Sequence, residues 1–184
     1  MLKSLFLNPP SFNGFDGAAG SRYQCTREVK SFWYPTWLAQ LAALVEGSRL
    51  IDAPARGISL DEVLPLANEY EFLVLYTSTP SFSNDVKIAE AFKEKNPNLI
   101  IGFCGAHVAV NPDQTVIASD AIDFVAGNEF DFTIKEIAEG KSLEEVDGII
   151  YKKDGKPVHN KPRALIEDMA VSYTHLTLPT KRIV

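Results

Sequence analysis

Apolar residues along this chain fall into short runs, separated by stretches whose apolar positions recur at helical spacing. The clearest run is residues 72–76, Phe-Leu-Val-Leu-Tyr. It is too short and too apolar for a surface helix and predicts a buried strand. Residues 2–8, 49–53, 99–103 and 122–126 read as strands for the same reason. Between them lie predicted helices. Residues 35–46 place Trp37, Leu38, Leu41, Leu44 and Val45 on one face, with Pro35 suited to the first turn and Gly47 to the end. Residues 60–70 follow Ser59, with Glu62 completing a capping box. A helix reaching Lys95 is expected to start at Ser83 or Asn84 and to stop at Asn96-Pro97. Residues 112–119 predict a short helix, and residues 132–139 another, closed by Gly140. Asp154-Gly155 between residues 149–151 and 157–158 is a hairpin signal.

Strands alternating with helices at this spacing predict an α/β chain with right-handed crossovers. The expected fold is a Rossmann-like, doubly wound, five-stranded parallel sheet with a small C-terminal hairpin. The expected organisation is a domain over residues 1–145, a hairpin and linker over 146–169, and a non-native tail over 170–184. That tail continues no preceding pattern and looks like translated adapter sequence. It predicts a native protein that continues beyond the break. Residues 11–31 are rich in Gly, Ser, Asn and aromatics and are long for a connection, as functional loops often are.

Composition narrows the function. With 184 residues, 46% hydrophobic and 23% charged, the chain can bury one sizeable core. A net charge of -6 excludes a general nucleic-acid binder, which needs a basic face. No apolar run approaches a membrane span, and no basic-then-apolar leader opens the chain. Two cysteines, Cys25 and Cys104, make no disulfide framework and fit a cytosolic protein.

Ligands of open parallel sheets bind beyond the carboxyl ends of the strands, so the residues at these exits are the candidates. The first exit is Asn8-Pro9-Pro10, by itself an ordinary strand-ending turn. The third is Thr77-Ser78-Thr79-Pro80-Ser81, whose hydroxyls suit a polar ligand rim and equally suit helix capping. The fourth is Gly105-Ala106-His107-Val108, where glycine permits close approach. The fifth is Gly127-Asn128-Glu129. His107 has no second His, Cys or carboxylate at ligand spacing, which argues against a metal site built by the protein. Glu129 and Asp131 read as helix-dipole partners. The aromatics Phe32, Trp33, Tyr34 and Trp37 read as core packing, or as a wall against a large flat cofactor. The glycine fingerprint of dinucleotide folds, the Walker loop and the nucleophile elbow are all missing. The chain therefore reads as a binding domain rather than a complete enzyme.

Taken together, the exits resemble the N-terminal cobalamin-binding domain of B12-dependent radical S-adenosylmethionine (SAM) proteins. The resemblance rests on Asn8-Pro9-Pro10, residues 77–82, the Lys95-Asn96-Pro97 stop, Gly105-Ala106-His107 and residues 123–129, and it covers residues 2–169. In that family the fourth exit reads Gly-Gly-x-His and the fifth Gly-Glu-Gly-Glu. Here Cys104 replaces the first glycine, and Asn128 and Phe130 stand in the other loop. Residues 6–12, Ser21-Arg22-Tyr23, and residues 31–37 and 128–135 look most like the hopanoid-biosynthesis-associated branch. The resemblance implies a bacterial cytoplasmic enzyme working on a hopanoid lipid at the inner membrane face. Its radical chemistry would use a 4Fe-4S cluster and SAM, held by a C-x-x-x-C-x-x-C motif that two cysteines cannot supply. It also implies bound cobalamin without a histidine lower ligand, because D-x-H-x-x-G is absent around His107. The alternatives are a cofactor-free docking or substrate-recognition domain of the same family, and an unrelated flavodoxin-like domain. A receiver of the latter kind would want paired acids after the first strand and a lysine after the fifth.

Overall fold

A computed structural model describes residues 1–10 and 35–165. The strands are β1 (Ser4–Asn8), β2 (Arg49–Asp52), β3 (Phe72–Tyr76), β4 (Ile100–Cys104), β5 (Phe124–Ala126), β6 (Ile149–Lys153) and β7 (Lys156–His159). They form one sheet in the order β2-β1-β3-β4-β5-β6-β7. The first five are parallel, as the alternation of elements predicts. The hairpin does not stand apart. β6 pairs antiparallel with β5 and extends the same sheet, and β7 pairs with β6. Asp154 and Gly155 turn the hairpin with positive φ of 53° and 72°, the backbone that an Asp-Gly turn favours.

Side chains along each strand alternate between two cores, as the pleat requires. Leu5, Leu7, Leu73, Leu75, Ile101 and Phe103 pack on one face with Val63, Ile88, Phe92 and Val116. Those partners come from α3 (Leu60–Val63), α4 (Phe82–Lys95) and α6 (Pro112–Ile117). Phe6, Phe72, Val74, Cys104 and Phe124 pack on the other face with Leu38, Leu41, Ile134 and Ile137. These belong to α1 (Thr36–Leu44) and α7 (Phe130–Ala138). Helices thus cover both faces, and the order reverses between β1 and β3, the switch point where such sheets bind ligands. Gly102 permits the tightest packing in the second core. A Cβ there would lie 2.1 Å from the Phe124 ring, which stacks on Phe72 with centroids 6.0 Å apart.

Several local expectations change. The stretch after Ser59 is not one helix. α3 gives way to a 3-10 segment, Leu64–Asn68, because Pro65 cannot donate the next helical hydrogen bond. The capping box itself forms, with Glu62 Oε2 accepting from the Ser59 backbone N–H at 2.8 Å and from Ser59 Oγ at 2.7 Å. α4 starts at Phe82 with Ser81 at its N-cap, ahead of the expected Ser83 or Asn84. Two short helices are unexpected: α2 (Ala53–Arg56) takes Ala53 from the end of the expected 49–53 strand, and α5 (Ala106–Val110) occupies a stretch that the pattern leaves as loop. Cys25, the Ser21-Arg22-Tyr23 segment, Phe32, Trp33, Tyr34 and the tail lie outside the described residues.

Candidate functional site

The carboxyl ends of the parallel strands bring all four predicted exits to one edge of the sheet. At the β1 exit, Asn8 is 4% exposed. Its Nδ2 donates to Oδ1 of Asp52, the last residue of β2, at 2.7 Å. Pro9 and Pro10 are buried, and the Pro10 carbonyl accepts from Asn84 Nδ2 at 3.2 Å. This exit is therefore anchored to its neighbours on both sides.

The β3 exit is arranged in two layers. Thr77, Ser78 and Ser81 are buried, whereas Thr79 and Pro80 are exposed. The inner hydroxyls are committed to the protein. Thr77 Oγ1 donates to Asp85 Oδ2 at 2.7 Å and Ser81 Oγ to the same oxygen at 2.8 Å. Ser81 Oγ in turn accepts the Ser78 N–H at 3.1 Å. Asp85 is wholly buried. Its other oxygen, Oδ1, has no hydrogen-bond partner among the described residues. Burial pushes its carboxyl up to about 7, against the pull of the two hydroxyls and of Asn84. Spacing alone did not identify Asp85. Its signal is an acid one helical turn past a Ser-x-x-Ser stretch, on the face where α4 carries Ile88, Ala89 and Phe92.

The β4 exit is locked to this loop. The Thr77 N–H donates to the Cys104 carbonyl at 2.8 Å, and the His107 N–H to the Thr77 carbonyl at 3.4 Å. Gly105 has φ +109°, and a Cβ there would sit 2.6 Å from the Thr77 carbonyl oxygen. The glycine is thus required both by conformation and by the approach of the two loops. His107 is 9% exposed. Its Nδ1 lies 3.1 Å from Thr79 Oγ1, and its ring stacks on Phe82 at 4.1 Å. Burial holds the imidazole below its ordinary range, disfavouring its charged form. Val108 is core, whereas Ala106 is exposed. Cys104 is fully buried on the α1–α7 side of the sheet. Burial, and after it the Asp131 carboxylate, push its thiol far up. Its side chain adds bulk to the core and none to the edge.

The β5 exit is the open one. A Cβ on Gly127 would meet no described atom within 4 Å. Asn128 is exposed with φ 45°, and Glu129 is half-buried at the start of α7. Asp131, in the first turn of that helix, is raised by burial and then by the charge of Glu129. Its Oδ1 is buried without a hydrogen-bond partner among the described residues. No group of three His, Cys, Asp or Glu side chains among the described residues could hold a metal ion. No helix among them is long and apolar enough to cross a membrane.

The edge therefore combines an inner layer fixed by Asp85 and Gly105 with an outer layer of small or polar groups: Thr79, Pro80, Ala106, Gly127 and Asn128. Such a surface suits recognition by shape and hydrogen bonding.

No protein-family model matches the chain. It is 28% identical over 144 residues to an uncharacterized methyltransferase of Pyrococcus horikoshii, covering 73% of this chain and 31% of the relative. The chain thus spans about a third of the length of that curated relative. The fold is shared with a radical SAM methyltransferase, TsrM, from Kitasatospora setae, solved with cobalamin and a 4Fe-4S cluster bound. The TM-score is 0.63 at 14% identity, over 90% of this chain and 30% of that one. A second structure of TsrM, with tryptophan substrate and the SAM analogue aza-SAM bound, gives 0.59 at 12% identity over 88% and 30%.

Proposed function

We propose that this chain is a cobalamin-binding domain working within a longer radical SAM methyltransferase. One observation carries the reading: the β3 and β4 exit loops are hydrogen-bonded to each other beside the open glycine of the β5 exit, along the carboxyl edge of a Rossmann-like sheet. The residues fit a broad ligand held by shape. Thr79, Pro80, Ala106 and Asn128 would contact it, and Gly127 would leave it room. Asn8, Pro9, Thr77, Ser78, Gly105, Val108 and Glu129 would hold those contacts in place. His107 would brace the surface rather than ligate cobalt, since its ring is stacked on Phe82 and its Nδ1 is engaged by Thr79. Cobalamin supplies, when bound, a cobalt centre that carries a methyl group.

The substitution of Cys104 for a family glycine supports the cofactor-free alternative only if it narrows the edge. Its buried side chain points into the core instead. The 4Fe-4S cluster and SAM would belong to the parent enzyme outside this chain. The parent's substrate, on the resemblance of residues 6–12 and 128–135, would be a hopanoid lipid.

The test is retention of hydroxocobalamin by the purified chain through desalting, with Gly127→Trp as the control. A side chain at position 127 starts with no described atom within 4 Å of its Cβ, so the fold should hold while cobalamin is lost. Equal retention by both proteins, or none by the wild type, would overturn the proposal.

A further inference from the structure

We propose that Asp85 is a positioning residue for the ligand-facing turn after β3. Through one carboxylate oxygen it captures Thr77 and Ser81, and so sets the course along which Thr79 and Pro80 project. The inference rests on the reading of this edge as a cobalamin site.

Three observations support it. First, a fully buried acid in the first turn of α4 is an expensive choice on the face that goes on to carry Ile88, Ala89 and Phe92. It makes no cap, because α4 has no side-chain cap hydrogen bond. Second, its two shortest bonds run back to the turn, with Asn84 of the helix adding a weaker pull. Oδ2 takes hydroxyls from eight and four residues upstream at 2.7 and 2.8 Å. The turn is then closed twice, by the Ser81 N–H to the Ser78 carbonyl at 3.1 Å and by the Ser78 N–H to Ser81 Oγ at 3.1 Å. An ordinary N-cap serine would spend that hydroxyl on the helix N–H groups; here Asp85 redirects it. Third, the turn does not end with itself. Thr79 at its tip meets His107 Nδ1 on the β4 loop, and the Thr77 carbonyl accepts the His107 N–H. Releasing Thr77 and Ser81 would therefore be felt on both loops of the edge.

The experiment uses the whole chain with Asp85→Ala, Asp85→Asn and Ser81→Ala. It reads cobalamin affinity by absorbance titration with hydroxocobalamin, and the His107 ring nitrogens by NMR. The expected result is a roughly tenfold or greater loss of affinity in Asp85→Ala, with a displaced His107 Nδ1 signal. Asp85→Asn should restore both, because its carboxamide oxygen can accept the same two hydroxyls. A purely structural Asp85 would lower the unfolding midpoint and leave affinity and the His107 signal at wild-type values; that result overturns the inference. If the wild type itself retains no cobalamin, the cobalamin reading fails separately and the NMR signal decides the positioning role. A shift in Asp85→Ala that Asp85→Asn reverses upholds it, and an unmoved signal sinks it. Should Asp85→Ala not fold, Ser81→Ala removes one captured hydroxyl and must show the same signature at smaller amplitude.

Discussion

Replacing Asp85 with asparagine should change how stability depends on pH. Asp85 is wholly buried, and burial raises its carboxyl from 3.8 to about 7. A folded-state value above the unfolded one means the folded protein binds the extra proton between those two limits. Stability contributed at this site is then fully present below pH 4 and lost as pH rises through 7. The separation corresponds to about 4 kcal/mol as an upper figure. Asparagine does not titrate. Its carbonyl oxygen can replace Oδ2, while its amide nitrogen falls where Oδ1 has no partner among the described residues. That unpaired amide costs about 1–3 kcal/mol, a cost that the protonated wild-type acid shares at Oδ1. Near pH 4 the wild-type acid carries its own unpartnered proton on Oδ1, so the two proteins should differ little there. The variant should gain on the wild type by up to about 4 kcal/mol as pH approaches 8. Urea denaturation followed by circular dichroism from pH 4 to pH 8 measures this directly. Other titrating groups cancel in the difference between the two proteins. Parallel curves across that window would refute the reasoning.

Further expectations follow from the same geometry. Gly105→Ala, strained at φ +109° and against the Thr77 carbonyl, should destabilise by about 2 kcal/mol or more, while Gly127→Ala stays within about 0.5 kcal/mol; denaturant midpoints separate the two. His107 should titrate below the ordinary imidazole range in NMR, since burial disfavours its charged form. Its contribution to stability should be present above the unfolded value and lost as pH falls toward the folded one; a normal titration curve would contradict the packing against Phe82. Asp123 accepts from Lys93 Nζ at 3.0 Å and from the Ile101 N–H at 2.6 Å, so Asp123→Ala should cost about 2 kcal/mol, again read as a midpoint shift.

The fold was legible because the strand cores are short and unbroken and the helices carry their own punctuation. Ser59 with Glu62 and Asp154-Gly155 behave as their local chemistry demands. Failures came where one residue overrode a longer pattern, as Pro65 does in splitting the second helix. The hairpin was seen from its turn, but no periodicity tells β6 to join the edge at β5; that follows from covering Phe124 and Ala126. The edge itself was visible as four strand exits. What spacing could not separate was the inner layer from the outer. Thr77, Ser78, Thr79 and Ser81 look alike in sequence, yet only Thr79 of the four is exposed. Their division depends on Asp85, an acid whose burial is set by tertiary packing. Cys104 shows the same limit, since strand register alone decides that it faces the core and not the ligand edge.

The central claim, that this edge holds cobalamin, is tested most directly by the visible absorption spectrum of the chain after mixing with hydroxocobalamin and desalting. A corrin spectrum of the base-off form should elute with the protein and vanish in Gly127→Trp. A wild-type fraction that elutes without corrin absorption would contradict it.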